Sequence, residues 1–154
     1  MGGMQVVDEV FMRAALEQGG IAAGRGDPGF GAVVVRDGGL VAAAASAEVT
    51  ERDATAHDGT SVVGLACRRL GRPRLEDCTF YGTAEPCPMC SAALLQARVT
   101  RIVLGAGGSA LAAILGPRSL LIEDLAADYG YCPSVERGLL AGPALSLLAR
   151  SLQQ

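Results

Sequence analysis

The sequence predicts a single α/β domain, residues 1–154, built as a three-layer α-β-α sandwich around a mixed sheet of about five strands. Three observations predict this class. Strand-like apolar runs alternate with helix-like segments, no linker divides the 154 residues, and half of the residues are apolar with a mean hydropathy of +0.33. A chain of this length buries about two thirds of its unfolded surface on folding, so one core suffices.

The first half of the chain predicts a helix, a β-hairpin and a second helix. Apolar residues recur on one face over Asp8–Gln18, which indicates the first helix. Apolar arms in residues 31–45 flank Asp37–Gly39, a sequence typical of a hairpin turn. The second helix is predicted over Ala56–Leu70, where Gly71 follows as a C-terminal cap.

The second half of the chain predicts alternating strands and helices, with a glycine-rich loop after the second of these strands. A proline is favoured in the first turn of a helix, which places one helix start at the two prolines around Cys87. The predicted elements are, in order, a strand over Asp77–Ala84, a helix from Pro86 or Pro88, a strand over 98–106, a helix over Ser119–Asp128, a strand over Ser134–Arg137 and a helix near Pro143.

The net charge and the composition indicate which partners and which cellular location to expect. The formal net charge is −3, which argues against a nucleic-acid partner or an anionic membrane surface. The basic cluster Cys67–Arg74 is interpreted as a solvated helix end. No apolar run reaches about 18 residues, and residues 1–11 lack the pattern of a signal peptide. Five cysteines without a secretion signal predict a reducing, cytoplasmic location, with Cys67, Cys78 and Cys132 expected in the core.

The residues that carry chemistry are the chain's single histidine, His57, and a Cys-x-x-Cys pair, Cys87 and Cys90. Zn²⁺ takes imidazole nitrogen and thiolate sulfur, and three protein ligands with one open position are typical of a catalytic site. His57 and the Cys87/Cys90 pair are each predicted near the start of a helix. At such a position the positive end of the helix dipole stabilises thiolates. The alternative from the residues alone is a redox-active or merely buried Cys-x-x-Cys pair.

Four segments carry a family resemblance: PGFGAVVVRDGGLVA, DATAHDG, DCTFYGTAEPCPMCSAAL and ARVTRIVLGA. They resemble, in order and from the first helix to about Ala106, the nucleobase branch of the cytidine deaminase superfamily. That branch includes guanine deaminases, fungal cytosine deaminases and tRNA adenosine deaminases, and the segments ACRRLG and EDCTFYGTAEPCPMC look most similar to guanine deaminases. The resemblance implies a cytidine-deaminase-like fold with Zn²⁺ bound by His57, Cys87 and Cys90, and a hydrolytic deaminase activity.

One position departs from the family pattern. The family has His-Ala-Glu, and its Glu moves protons between water, ring and leaving amine, whereas this chain has His57-Asp58-Gly59. Glycine cannot move a proton, and general acid–base catalysis commonly contributes about 10²–10⁴-fold in rate. Asp58 is the first candidate replacement, and a helix turn of about 3.6 residues aims it roughly 100° away from position 59. Glu85 is the second candidate, and Glu48, Glu51 or the substrate itself are the remaining routes for the proton.

A second departure concerns the contact with the substrate. Family members commonly place an Asn after the hairpin to contact the base, and this chain has Ser46, Ala47 and Glu48 around that place, in a loop about one residue shorter. We expect substrate contacts from Glu48, Phe30, Ala56 and Gly59. Loss of the Glu side chain at position 59 is expected to leave open space that a substrate group fills.

Three hypotheses about function follow. In the first, the protein is a zinc-dependent deaminase of a small amino-substituted heterocycle, nucleobase-, purine- or triazine-like, with altered proton transfer. In the second, it is an inactive, zinc-stabilised homologue that binds a ligand or an active deaminase paralogue. In the third, Cys87 and Cys90 form a redox pair without metal. By family analogy we expect a cytoplasmic homodimer with a small-molecule substrate.

Overall fold

A five-stranded mixed sheet organises residues 6–153, which are the part of the chain that the computed structural model describes. The strands are β1 (Gly31–Arg36), β2 (Gly39–Ala45), β3 (Cys78–Ala84), β4 (Arg101–Ala106) and β5 (Ser134–Arg137). The helices are α1 (Val6–Gly24), α2 (Asp58–Leu70), α3 (Pro88–Gln96), α4 (Gly108–Leu115), α5 (Ile122–Ala126) and α6 (Ala141–Ser151), and a 3₁₀ turn over Ala127–Tyr129 follows α5.

The strands lie in the order β2-β1-β3-β4-β5. β1 is antiparallel to both β2 and β3, whereas β3, β4 and β5 are parallel. β2 and β3 therefore run in the same direction and end at the same edge of the sheet, although an antiparallel strand separates them. The predicted mixed sheet of about five strands is confirmed.

Helices cover both faces of the sheet. α2, α3 and α5 lie on one face, and α1 and α6 lie on the other. Successive strand residues alternate between the two sides: Val34 and Phe80 pack in the α2/α3 core, and Val33 and Tyr81 pack against α1. Because both faces are buried, the strands are nearly continuous apolar runs, as expected for a covered sheet. The three-layer sandwich is confirmed.

The β1–β2 hairpin has a two-residue turn rather than the predicted three-residue turn. Arg36 pairs with Gly39, so only Asp37 and Gly38 lie outside the ladder. Both have positive φ, 51° at Asp37 and 74° at Gly38, as a type I′ turn requires. The twist of this turn matches that of the strands, which explains why an Asp-Gly pair closes the hairpin.

Several predicted helix bounds are wrong. α1 continues past Gln18 to Gly24 through Gly19, where an added Cβ would lie 2.8 Å from Leu147 Cδ2. Close packing against α6 therefore outweighs a glycine's helix cost of about 1 kcal/mol. α4 lies where the sequence predicts a glycine-rich loop; Gly107 is its N-cap, and the alanines and leucines that follow are strong helix formers. The helix predicted over Ser119–Asp128 is shorter, and β5 matches its prediction.

Three further expectations have mixed outcomes. Cys78 is buried and Cys67 half-buried, but Cys132 is exposed, so its expected core position is wrong. The interpretation of residues 1–11 falls partly on residues 1–5, outside the described residues. Within residues 6–153, no helix combines the length and apolar character that crossing a membrane requires.

Candidate metal centre and pocket

The structure places His57 and Cys87 at the N-terminal caps of two neighbouring helices. His57 is the N-cap of α2 and Cys87 is the N-cap of α3, both with extended backbone. The chain reaches the two caps from β2 and β3, which end at the same sheet edge. The two helix starts therefore bring His57 and the two cysteines together, although β1 runs antiparallel between the two strands that lead to them.

The three donor atoms of His57, Cys87 and Cys90 all lie within 4.8 Å of one another. His57 Nδ1 is 3.5 Å from Cys87 Sγ and 3.7 Å from Cys90 Sγ. Zinc–nitrogen bonds of about 2.0–2.1 Å and zinc–sulfur bonds of about 2.3 Å, set at tetrahedral angles, place such atoms about 3.5 Å apart. The donor set and its spacing therefore fit a zinc ion.

The surroundings of the two thiols differ. A hydrogen bond from Cys90, the Cys90 backbone N–H and the charge of His57 lower the pKa of Cys87. The hydrogen bond to Cys87 and burial raise the pKa of Cys90. An imidazole nitrogen beside both sulfurs favours the metal interpretation over the redox one, because a dithiol pair needs no third ligand.

A pocket opens beside these donor atoms, with an empty volume of about 390 Å³ that includes its open mouth. Phe30 and Phe80 provide aromatic surface, and Asp58 and Arg118 provide charges of opposite sign. The lining residues are Phe30, His57, Asp58, Gly59, Phe80, Ala84, Glu85, Pro86, Cys87, Cys90 and Arg118. An apolar cleft with a few polar groups and a metal site at its base is the usual form of a small-molecule site.

Asp58, the first candidate for proton transfer, lies in the wall of this pocket at the first residue of α2. Burial raises the pKa of its carboxyl to about 6, although the Gly59 N–H and His57 lower it in part. The position of Asp58 in the pocket is thus compatible with its predicted role in proton transfer.

Gly59 lines the pocket, but it opens no room for a substrate. A Cβ at this position would lie 2.8 Å from Cys90 Cβ and 2.9 Å from Cys90 Sγ. Such distances are shorter than real Cβ contacts, so the side chain of Cys90 occupies the direction in which residue 59 would extend. The expectation of cleared space beside Gly59 is wrong: the glycine lets α2 and α3 approach each other at the metal ligands.

Glu85, the second candidate for proton transfer, is held by other groups. Its Oε1 accepts from Arg137 Nε at 2.7 Å and from the Gly108 N–H at 2.9 Å, and its Oε2 accepts from Arg137 Nη2 at 3.0 Å. Its side chain is fully buried, and Arg137 also binds Glu123. These contacts favour a structural role, in which Glu85 ties the segment before Cys87 to β5 and α4.

The expected substrate contacts divide into two groups. Phe30 and Gly59 line the pocket. Ala56 lies outside it, and its carbonyl accepts from the Ala47 N–H at 2.9 Å. Glu48 also lies outside the pocket lining, with its Oε2 3.4 Å from His57 Nε2.

Arg118 is a pocket residue that sequence reasoning missed. It lies between α4 and α5, in a segment with no recognisable motif, and only the folded chain brings it to the metal ligands. Its Nε is buried and has no hydrogen-bond partner among residues 6–153. A buried donor without a partner is costly, so an acceptor on a bound ligand would stabilise it.

Comparison with known proteins gives one family. The sequence profile of the cytidine and deoxycytidylate deaminase zinc-binding region matches residues 5–106. The tRNA-specific adenosine deaminase of Bacillus subtilis (strain 168) is 40% identical over 99 residues, which are 64% of this chain. Guanine deaminase of the same strain is 41% identical over 92 residues, 58% of this chain. The matched region spans about three fifths of each relative, 62% and 58% of their lengths.

A solved structure of a deaminase is similar to this chain in its fold. The structure of a guanine deaminase from Nitrosomonas europaea superimposes with a TM-score of 0.82 at 29% identity, covering 95% of this chain and 85% of that one. The similarity extends beyond the profile match, to the elements after Ala106.

Proposed function

Because the chain belongs to the cytidine and deoxycytidylate deaminase zinc-binding family, we propose that it is a zinc-dependent aminohydrolase of a small amino-substituted heterocycle. One observation carries the proposal: the donor atoms of His57, Cys87 and Cys90 lie at zinc-ligand spacing at the base of an aromatic-walled pocket. Hydrolysis joins the oxygen of water to the ring carbon and breaks the bond to the amino nitrogen, which leaves as ammonia.

The pocket residues have separate tasks in this reaction. His57, Cys87 and Cys90 would hold zinc, which when bound supplies a hydroxide near neutral pH. Phe30, which is only partly buried, offers apolar surface to a planar ring. Arg118 donates its buried Nε–H to an acceptor such as a ring carbonyl.

Proton transfer falls to Asp58 in this proposal. Hydrolysis requires that a proton leave water and reach the departing amine, and position 59 has no side chain to carry it. Asp58 is the acidic side chain that lines the pocket without the ion pairs that hold Glu85. A carboxylate oxygen of Asp58 would receive the proton of water and pass it to the amino nitrogen.

The decisive experiment combines metal analysis with ammonia release from a panel of guanine, cytosine, adenine, a pterin and a triazine. We expect one zinc per chain, zinc-dependent ammonia release, and loss of both in Cys87→Ser. Asp58→Asn is expected to keep its zinc and to lose about 10²–10⁴-fold in kcat. Glu51→Gln is the matched control, because Glu51 is an exposed acid in the loop that precedes α2 and lies outside the pocket. Full zinc occupancy without ammonia from any compound would contradict the proposal.

RNA belongs in that panel. The net charge argues against a nucleic-acid partner, but one relative is a tRNA-specific adenosine deaminase. In the basic cluster, Arg69 donates to the Val41 carbonyl at 2.7 Å and Arg72 pairs with Asp77, so part of this charge stabilises the fold. If ammonia is released from a tRNA anticodon stem-loop and not from free bases, RNA would replace the small heterocycle as the proposed substrate.

A second candidate function is a non-catalytic, zinc-stabilised subunit. The close approach of Gly59 to Cys90 favours it, because a glutamate at position 59 would not fit without movement of Cys90. Co-purification with a deaminase that carries His-x-Glu, together with zinc but no turnover in the isolated chain, would support this candidate. The homodimer expected from the resemblance remains a prediction, and sedimentation of the purified chain tests it.

A further inference from the structure

The carboxylate of Glu48 faces the nitrogen of His57 that points away from the cysteines. Nδ1 of the ring faces the two sulfurs at 3.5 and 3.7 Å, and Nε2 lies 3.4 Å from Glu48 Oε2. Both side chains are about three quarters buried, with 29% of His57 and 26% of Glu48 exposed. Glu48 therefore contacts the back of a metal ligand rather than the pocket.

The loop around Glu48 is anchored on both sides. On one side the Ala47 N–H donates to the Ala56 carbonyl at 2.9 Å, next to His57 in the chain. On the other side, fully buried Asp27 accepts from the Val49 N–H at 2.8 Å and from the Thr50 N–H at 3.0 Å. The backbone of Glu48 is thus held in place before any ligand binds.

No other described group competes for the Glu48 carboxylate. Its second oxygen, Oε1, is buried and has no hydrogen-bond partner in the described part of the chain. A carboxylate that receives the N–H of one imidazole nitrogen fixes the ring orientation and leaves the lone pair of the other nitrogen free for metal. It also makes that nitrogen a stronger ligand.

We propose that Glu48 is a positioning residue for the metal site: it accepts the Nε2–H of His57 and so presents Nδ1 to zinc between Cys87 and Cys90. This inference rests on the proposed zinc site, and it replaces the substrate contact expected of Glu48.

The first test measures zinc affinity by competition with a chromophoric chelator. Glu48→Ala is expected to weaken zinc binding by about 10–100-fold. Glu48→Gln is expected to recover part of this loss, because its amide oxygen still accepts the Nε2–H. Glu51→Gln, three residues along the same loop and exposed, should bind zinc as the wild type does. Wild-type affinity in Glu48→Ala, or equal losses in the Ala and Gln variants, would overturn the proposal.

The second test needs no metal. His57 is the only histidine, so one imidazole N–H resonance reports on it in ¹⁵N-labelled, metal-free protein. We expect this N–H to exchange slowly with water in the wild type and in Glu48→Gln, and rapidly in Glu48→Ala. Equal exchange in all three proteins would refute the contact. Failure of the wild type to bind zinc, with slow exchange intact, would instead refute the proposed metal function.

Discussion

At the scale of single residues, the main departure of this chain from its family is how position 59 is packed. The family's proton-carrying side chain is absent, and Cys90 lies where that side chain would begin. The absence of a side chain at position 59 therefore affects the metal site as well as proton transfer. Gly59 is part of the contact between α2 and α3, the two helices that carry the proposed ligands. A substitution at this residue is expected to act on the metal site before it acts on proton transfer.

Gly59→Ala tests this coupling. A Cβ placed 2.8–2.9 Å from Cys90 must displace the cysteine or α2, so we expect weaker zinc binding and a loss of about 1–3 kcal/mol in stability. Chelator competition and thermal unfolding measure the two effects. Gly64→Ala in the same helix is the control, since its Cβ would meet only the flexible end of Arg68 at 3.2 Å. That variant should gain about 0.5–1 kcal/mol, and equal behaviour of the two variants would contradict the argument.

The grouping of the three candidate metal-ligating residues could be predicted at this scale, and the charged residues of the pocket only in part. His57, Cys87 and Cys90 form a spacing pattern within the chain, and helix starts at one sheet edge bring them together. Arg118 reaches the pocket by a path between two short helices, so no local pattern marks it. The packing of α2 against α3, which would put a Cβ at position 59 only 2.8 Å from Cys90 Cβ, is not specified by periodicity.

At the scale of elements, two buried acids hold the segments that carry the site. Glu85 ties the end of β3 to Arg137 of β5 and to the start of α4. Asp27 ties the loop between β2 and α2 to the chain before β1. Each anchors a stretch that leads directly to a metal ligand or to its neighbour Glu48.

Glu85→Gln is expected to lower the free energy of unfolding by about 2 kcal/mol, because a buried carboxylate loses charged hydrogen bonds to Arg137. Denaturant unfolding measures the change. Glu123→Gln removes the other carboxylate bound to the same arginine, but Glu123 is 41% exposed, so its loss should stay below about 1 kcal/mol. A larger effect at Glu123 than at Glu85 would show that burial does not decide the strength of these pairs.

Asp27 predicts a pH dependence of stability. Burial alone would raise its pKa, but hydrogen bonds from Thr50 and Val49 and the charge of Arg25 bring the pKa below its usual value of 3.8. A lowered pKa in the folded state stabilises the fold above the unfolded value, and this contribution disappears as the pH falls through the folded value. The stability difference between the wild type and Asp27→Asn should therefore shrink below about pH 4. A difference that is constant down to pH 2 would contradict this assignment.

At the scale of the whole molecule, the candidate metal site joins two of the three helices, α2 and α3, that form one layer. α2 follows the hairpin, α3 follows β3, and their first residues supply all three ligands. The layers and the mixed sheet could be predicted, because strands covered on both faces are apolar throughout and the connecting segments are helical. α4 could not, since its glycine-rich start conceals a helix that the fold stabilises.

Removal of zinc should therefore loosen the helical layer. At a free zinc concentration about a hundredfold above its dissociation constant, binding contributes about 2.7 kcal/mol. For a chain of this size, that difference corresponds to about 5–10 °C in Tm. Calorimetry with and without a chelator measures the shift, and Cys87→Ser should already have the lower Tm and show no response. An unchanged Tm after zinc has been removed would mean that α2 and α3 are held by their apolar contacts alone.

The contact between Gly59 and Cys90 also has an evolutionary consequence. A single substitution that introduces the family's glutamate at position 59 would place its Cβ 2.8 Å from the Cβ and 2.9 Å from the sulfur of Cys90. The glutamate side chain would contact the sulfur of Cys90, a proposed metal ligand. Selection would act against this substitution unless α3 had first moved outward. Because of this packing, we expect that a change of proton transfer in this chain is more accessible at Asp58, which already lines the pocket, than at position 59.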